Sequence, residues 1–224
     1  MQLLNRTFNS LRDKGFSRTF QSVISVIEDF YFEMQYGVST SRIVKREDLD
    51  ISERSKEHSE EYKPTRIRHF RLLIKDLKLP DDSVFVDMGS GKGRIILLAS
   101  LLKFKQVIGV EISSQLCQVA RNNVAMFEKK LKRPLHIEIV NEDVLQYSIK
   151  ADENVFYFYK PFDNFVMENI IQRVLKSVIQ NPRKVWLIIN NFIPYSTMIE
   201  NEFKFRAIKK FIYGGTEIAV YAVD

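Results

Sequence analysis

Three glycines at alternate positions, Gly89, Gly91 and Gly93, are the feature of this sequence most directly suited to binding a ligand. They lie between two apolar segments, residues 84–86 and 95–102, so the pattern indicates a strand, a tight turn and a helix. Such a turn presents backbone N–H groups and a helix N-terminus to the polar end of a ligand. The spacing is one residue tighter than the Gly-x-Gly-x-x-Gly of dinucleotide sites. It also lacks the Ser or Thr that follows Gly-Lys in a phosphate-binding P-loop.

Carboxylates stand where three predicted strands end. Asp87 lies just before the glycine turn, where it would repel a diphosphate and attract an ammonium group. Glu111 ends the next strand and can accept hydrogen bonds from both hydroxyls of a ribose. Asp143 follows the third strand, where it suits an adenine amino group, and the backbone of Val144 lies beside it. These residues predict a ligand with an ammonium, a ribose and an adenine but no phosphate, a description that S-adenosylmethionine fits.

The same segments resemble the motifs of class I S-adenosylmethionine-dependent methyltransferases. Residues 84–93 are similar to the first motif of that family, residues 110–112 to its ribose motif and residues 142–144 to its adenine motif. The resemblance covers roughly residues 80–224 and implies S-adenosylmethionine as the cofactor. It further implies the cofactor-binding residues, which are Asp87, Gly89, Ser90, Gly91 and Gly93 for the methionine end, Glu111 for the ribose, and Ile112, Asp143 and Val144 for the adenine.

The fourth predicted strand ends in Tyr159-Lys160-Pro161-Phe162, beside the expected position of the methyl group. The segment resembles the Asn/Asp-Pro-Pro-Tyr/Phe motif of enzymes that methylate nucleobase amines. However, Lys160 replaces the amide or carboxylate, and only one proline is present, so transfer to a base amine is not indicated. Tyr159 and Phe162 can instead form aromatic walls for an alkyl-ammonium acceptor, although packing in the core explains them equally well. Tyr159, Lys160 and Phe162 are the candidate catalytic residues.

Upstream, Tyr62-Lys63-Pro64-Thr65 resembles a Tyr/Phe-x-Pro-Thr/Ser element of seven-strand protein-lysine methyltransferases, including the non-SET histone-lysine enzymes. The resemblance implies that Tyr62 and Thr65 contact the methionine end of the cofactor or a lid over it. A role for Thr65 in starting a helix is the alternative. The chain as a whole resembles bacterial methyltransferase-like proteins that combine this element with Asp-x-Gly-Ser-Gly-Lys-Gly-Arg. That similarity implies a fold and a cofactor but no substrate.

The elements that would position these residues alternate between strands and helices after residue 80. Such alternation implies a mostly parallel sheet with helices on both faces. The fold class we predict is therefore α/β: a Rossmann-like, mostly parallel seven-stranded sheet with a C-terminal antiparallel hairpin joined at Gly214-Gly215 and an N-terminal helical cap. The predicted strands are 84–86, 107–110, 137–140, 155–159, 185–189, 203–212 and 216–223, and the predicted helices between them are 95–102, 114–130 and 165–179.

The chain before the sheet is predicted to form a separate unit, residues 1–79, beside a cofactor-binding domain of residues 80–224. Apolar residues at spacings of three and four over the first 35 residues indicate amphipathic helix, broken near Gly15. Residues 39–63 are polar and read as a connector, after which Pro64 opens a helix. We expect the connector to order across the cofactor, with Tyr62 and Thr65 at its closing edge.

Composition limits the function classes further. The 224 residues carry a net charge of +6 with interspersed signs, which permits an anionic partner without requiring one. The single cysteine, Cys117, excludes a disulfide framework within the chain. With only three histidines besides, we expect no metal site. Without a secretory signal or a long apolar run, a cytoplasmic protein is predicted. The predicted activity is methyl transfer to an amine or hydroxyl of a protein, a lysine among them, or of a small molecule. An RNA methyltransferase and a non-catalytic S-adenosylmethionine-binding protein are the alternatives.

Overall fold

A seven-stranded sheet forms the centre of the protein in the computed structural model, which describes residues 16–159, 162–203, 205–213 and 215–223. The strand order is β3-β2-β1-β4-β5-β7-β6. The first five strands pair in parallel, β7 is antiparallel to β5, and β6 is antiparallel to β7. The strands are β1 Val84–Met88, β2 Gln106–Glu111, β3 Ile137–Asn141, β4 Glu153–Tyr159, β5 Val185–Asn190, β6 Ala207–Tyr213 and β7 Thr216–Val223. This order confirms the predicted seven-stranded, mostly parallel sheet with a C-terminal hairpin.

Helices cover both faces of the sheet. All five residues of β1 are buried, as the continuous apolar run of a central parallel strand requires. One face packs against α6 and α7, and the other packs against α3, α4 and α5. The helices are α1 Phe16–Tyr36, α2 Glu53–Glu57, α3 Ile67–Leu77, α4 Arg94–Ala99, α5 Ser114–Leu131, α6 Asn164–Gln180 and α7 Ile193–Asn201, with a further 3-10 turn at Arg46–Asp48.

Three predicted boundaries were wrong by three residues or more, and one helix was not predicted. The helix after the glycine turn ends at Ala99 rather than at residue 102, and the Ser100 hydroxyl donates to the Leu97 carbonyl at 2.7 Å just beyond its end. Pro64 does not open a helix, because α3 begins at Ile67 with Arg66 as its N-cap residue. The first strand of the hairpin begins at residue 207, not 203. Helix α7 was not predicted, and its proline lies in the first turn, where proline is tolerated.

Helix α1 packs against α3 and α5. Phe32 and Tyr36 of α1 meet Phe127 of α5, with ring centroids 5.7 and 4.4 Å away. The predicted break at Gly15 lies outside the described residues, as does the segment before it. Within the described part of the chain, no helix is long and apolar enough to cross a membrane.

Candidate cofactor and acceptor site

A cavity of about 650 Å³ lies at the carboxyl ends of β1, β2 and β4. The chain leaves β1 toward β2 on one side and reaches β4 on the other, so the cavity sits at the reversal of strand order where α/β proteins bind ligands. Gly91 and Gly93 belong to the adjoining turn without lining the cavity, and Lys160 lies outside the described residues. The predicted site residues that line the cavity are Tyr62, Thr65, Asp87, Gly89, Ser90, Glu111, Ile112, Asp143, Val144, Tyr159 and Phe162.

The glycine turn is held by hydrogen bonds to the end of the neighbouring strand. The N–H groups of Gly89 and Ser90 donate to the Val110 carbonyl at 2.9 and 3.0 Å. The Gly91 N–H donates to Glu111 Oε2 at 2.9 Å. The turn therefore has its shape fixed by β2 before any ligand is bound.

Glu111 is a buried carboxylate that receives one backbone N–H on each oxygen. Besides the bond from Gly91, its Oε1 accepts from the Ser113 N–H at 2.9 Å. Burial raises the pKa of Glu111, and these backbone hydrogen bonds act in the opposite direction. Each carboxylate oxygen has a second acceptor site, so the arrangement leaves room for two ribose hydroxyls.

Asp87 is 3% exposed, and no hydrogen bond or ion pair to its carboxylate occurs among the described residues. Burial, followed by the nearby charge of Glu111, raises the pKa of Asp87 well above its ordinary value. A buried carboxylate on a cavity wall without a partner is stabilised by a cation placed opposite it. The ammonium and sulfonium of S-adenosylmethionine fit that requirement, whereas a phosphate does not.

The predicted adenine end lies around the loop after β3. Asp143 lines the cavity, and its Oδ1 accepts from the Leu145 N–H at 2.9 Å. Arg173 of α6 donates to the Val144 carbonyl at 3.0 Å and so fixes the loop from behind. Asn141 donates to the Ile112 carbonyl at 2.9 Å, which ties β3 to the opposite wall.

The connector lies directly over the glycine turn. A Cβ atom placed on Gly91 would be 2.2 Å from Tyr62 Cε2, so only glycine permits this packing. The Tyr62 hydroxyl donates to the Thr40 carbonyl at 2.7 Å, and burial raises the pKa of the Tyr62 hydroxyl. Lys92 lies 5.3 Å from the centre of the Tyr62 ring and donates to the Arg42 carbonyl. The expected proximity of Tyr62 to the glycine turn is therefore observed.

Thr65 lies deeper, on the floor of the cavity. Its hydroxyl is 3.2 Å from the Tyr157 hydroxyl, which also accepts from Asn190 Nδ2 at 3.0 Å. Tyr157 is fully buried on β4 and lines the cavity. Thr65 contributes no helix cap, since the N-cap residue of α3 is Arg66.

Arg94 lines the cavity, and the sequence interpretation did not single it out as a site residue. Arg94 is only 2% exposed, and its guanidinium is satisfied by partners within the protein. It binds Asp29 of α1 at 3.0 Å, the Thr40 hydroxyl at 2.8 Å and the Thr65 carbonyl at 3.2 Å. It thereby connects α1 and both ends of the connector to the helix after the glycine turn. The sequence does carry one indication of this ion pair: Arg94 is the single charged residue in an otherwise apolar helix, residues 94–99, and a buried arginine requires a partner.

The outer end of the cavity is aromatic and acidic. Tyr159 and Phe162 line it together with Phe165 of α6, which the sequence interpretation had not included. Glu60 and Glu61 of the connector line the same cavity, and the neighbouring Ser59 pairs with Phe162 in an antiparallel bridge. His58 and Asp163, 2.6 Å apart, hold the connector against the start of α6. No cluster of His, Cys, Asp or Glu that could hold a metal ion occurs in the described ranges.

Sheet order, glycine turn and strand-end carboxylates together define a class I methyltransferase. Residues 41–152 match the family described as "Histone methylation protein DOT1", and this match covers half of the chain. The chain belongs to that family, whose members are class I S-adenosylmethionine-dependent methyltransferases. It is accordingly a methyltransferase that uses S-adenosylmethionine.

Solved structures share the fold at low sequence identity. An RNA methyltransferase from Salinibacter ruber, in complex with S-adenosylhomocysteine, is 17% identical with a TM-score of 0.54, over 71% of this chain and 93% of that one. The N-methyltransferase NodS from Bradyrhizobium japonicum, also with S-adenosylhomocysteine, is 15% identical with a TM-score of 0.52, over 70% and 86%. The B. subtilis tRNA methyltransferase TrmK is 16% identical with a TM-score of 0.52, over 68% and 64%. Among curated proteins, none matches the sequence.

Proposed function

We propose that the protein transfers the methyl group of S-adenosylmethionine to the amine of a lysine side chain in a protein substrate. The observation that carries this proposal is that Tyr159, Phe162 and Phe165 line the same cavity as the connector carboxylates Glu60 and Glu61, with Ser59 paired to Phe162 in an antiparallel bridge. The family description, which names histone methylation, supports a protein acceptor.

The inner half of the cavity is the part suited to the cofactor. Asp87 would hold its ammonium and Glu111 its ribose hydroxyls. The glycine turn would lie beside the methionine end, with the N–H groups of Gly89, Ser90 and Gly91 bound to the end of β2. Ile112, Asp143 and Val144 would enclose the adenine. When bound, S-adenosylmethionine supplies an electrophilic methyl group on a sulfonium. The chain's own residues then have to orient the acceptor, keep water away from the methyl group, and let the lysine ammonium lose a proton to solvent or to a nearby carboxylate, because only the neutral amine can displace the sulfonium.

The outer half is suited to a cationic alkylamine. Aromatic faces attract an ammonium group, and carboxylates nearby add to that attraction. Five carboxylates line the whole cavity, against three cationic side chains besides His58, and of these cations Lys63 is ion-paired with Glu61 and Arg94 with Asp29. Glu60 and Glu61 are the carboxylates of the lining that the cofactor does not use, and they would repel a phosphate backbone, so RNA is the weaker candidate even though the net charge of the chain is positive.

The direct test is incubation of the protein with methyl-labelled S-adenosylmethionine and three acceptor panels: lysine-containing proteins and peptides, small amines, and RNA. We expect label on lysine Nε, located by mass spectrometry of the digested protein. Label found on RNA alone, or on small amines alone, would contradict a lysine acceptor.

Two residues of α6 provide a matched pair for the acceptor pocket. Phe165 lines the cavity, whereas Ile179, near the other end of the helix, is 80% exposed and does not. Phe165→Ala should raise the KM for the acceptor by about tenfold through loss of an aromatic contact with the ammonium. Affinity for S-adenosylhomocysteine should stay unchanged, and Ile179→Ala should alter neither quantity. Equal effects of the two substitutions would remove Phe165 from the acceptor site.

A further inference from the structure

Helix α1 presents its apolar side to solvent. Six large apolar side chains on it are more than a third exposed, at spacings of three and four residues, and are called the outer stripe below. They are Val23, Val26, Ile27, Phe30, Tyr31 and Met34. Ile27, Phe30, Tyr31 and Met34 are each at least 60% exposed. Soluble monomers rarely leave a contiguous apolar surface of this size uncovered.

The acidic residues of α1 point the other way, into the protein. Asp29 is 3% exposed and binds Arg66 at 2.7 Å and Arg94 at 3.0 Å. Glu28 pairs with Arg68 at 3.0 Å, and Glu33 with Arg94 at 3.5 Å. These ion pairs fix the rotation of the helix, because turning the outer stripe inward would strand the buried Asp29 and Arg94 without partners. No part of the described chain covers the outer stripe.

We propose that the outer stripe is the contact surface between two copies of this chain, which pair through their α1 helices. The stripe contains no charged residue, so two copies can meet face to face without like-charge repulsion. A two-fold symmetric dimer brings the same patch of both copies together, which an uncharged apolar stripe permits. The apolar surface amounts to roughly 600 Å² per copy, about the amount that a modest specific interface buries.

Charge argues against other occupants of the stripe. An interfacial membrane helix carries Lys and Arg on its polar side, whereas α1 carries Glu28, Asp29 and Glu33 there and uses them within its own fold. A nucleic acid would need cations, which the stripe does not offer. A second copy of the chain is the partner whose surface matches. This inference does not depend on the identity of the methyl acceptor.

The test is the molar mass of the full chain in solution, by sedimentation equilibrium or light scattering over roughly 1–100 μM, where modest interfaces associate. We expect wild-type protein to reach twice 26.4 kDa at the upper end of this range. The double variant Ile27→Lys with Phe30→Lys should remain a monomer and keep its circular dichroism spectrum and its affinity for S-adenosylhomocysteine. Both replaced side chains are exposed, so the fold has no need of them.

Ile179→Lys is the matched control, since Ile179 is 80% exposed on a different helix, and it should leave the dimer intact. The single variant Met34→Lys gives a second, milder test at the other end of the stripe and should weaken association at least tenfold. A wild-type protein that stays monomeric over the whole range would overturn the proposal. So would a dimer that survives the substitutions in the stripe.

Discussion

Two buried carboxylates, Asp87 and Glu111, decide what this site can bind. Glu111 is tied into the fold by the N–H groups of Gly91 and Ser113, whereas Asp87 has no partner among the described residues. The fold therefore tolerates Asp87 more easily in its neutral form. A ligand with an ammonium group supplies the missing counter-charge and draws the proton off.

Asp87→Asn should stabilise the empty protein near neutral pH and weaken S-adenosylhomocysteine binding at least tenfold. Because the folded-state pKa of Asp87 is raised by burial, its contribution to stability is fully present at low pH and is lost as pH rises through that pKa. The melting temperature of wild-type protein should thus fall relative to that of the variant as pH rises above the ordinary pKa of an aspartate, while the increase caused by ligand binding grows.

Thermal unfolding with and without S-adenosylhomocysteine at several pH values measures both effects. An Asp87→Asn protein that is less stable than wild type at every pH, with unchanged affinity, would mean that Asp87 serves the fold and not the ligand.

At the scale of elements, the connector between α1 and α3 is the part that the sequence describes least well. Its polarity predicted a surface loop, and most of residues 39–63 do lie at the surface. They are nevertheless anchored by contacts between residues far apart in the chain: Asp50 accepts from the Ser113 and Ser114 hydroxyls, and Ser39 exchanges hydrogen bonds with Asn123. Local composition carries no information on such pairings, so the path of the connector could not be read from it.

Gly91→Ala tests whether the connector is seated through Tyr62. The new Cβ would lie 2.2 Å from the Tyr62 ring at a φ of +54°, so we expect the ring to be displaced and affinity for S-adenosylhomocysteine to drop at least tenfold. Gly215→Ala is the matched control, because φ there is +86° but nothing lies within 4 Å. It should cost roughly 1 kcal/mol of stability through backbone strain and leave affinity unchanged.

Replacing Tyr62 by alanine in the Gly91→Ala background removes the clash. The double variant should therefore lose less stability than the two single substitutions added together. Strict additivity would indicate that Tyr62 and Gly91 do not share a packing contact.

At the scale of the whole molecule, the sheet was predictable because its strands are apolar runs that end in recognisable turns. The glycine turn, Glu111 and Asp143 could be placed in one site for the same reason, since parallel strands bring their carboxyl ends to one edge. Helix α7 was not predicted, and neither was the ion pair between Arg94 and Asp29 that connects α1 to the site. Both depend on which segments meet in space, and spacing along the sequence does not report that.

A protein organised in this way should respond to its cofactor at the carboxyl edge of the sheet and in the connector at once. Arg94 and Tyr62 connect the carboxyl edge of the sheet to the connector, so we expect that ordering of one reduces the motion of the other. The hairpin of β6 and β7 lies at the far end of the sheet from β2 and should not respond.

Hydrogen exchange across the full chain, with and without S-adenosylhomocysteine, measures this directly. We predict slower exchange at the glycine turn, at the ends of β2 and β3, and throughout the connector, with no change in the hairpin; the protected segments would be residues 87–93, 111–113, 143–146 and 39–65. Protection confined to another edge of the sheet, or an unprotected connector beside a protected glycine turn, would contradict a cofactor site closed over by residues 39–65.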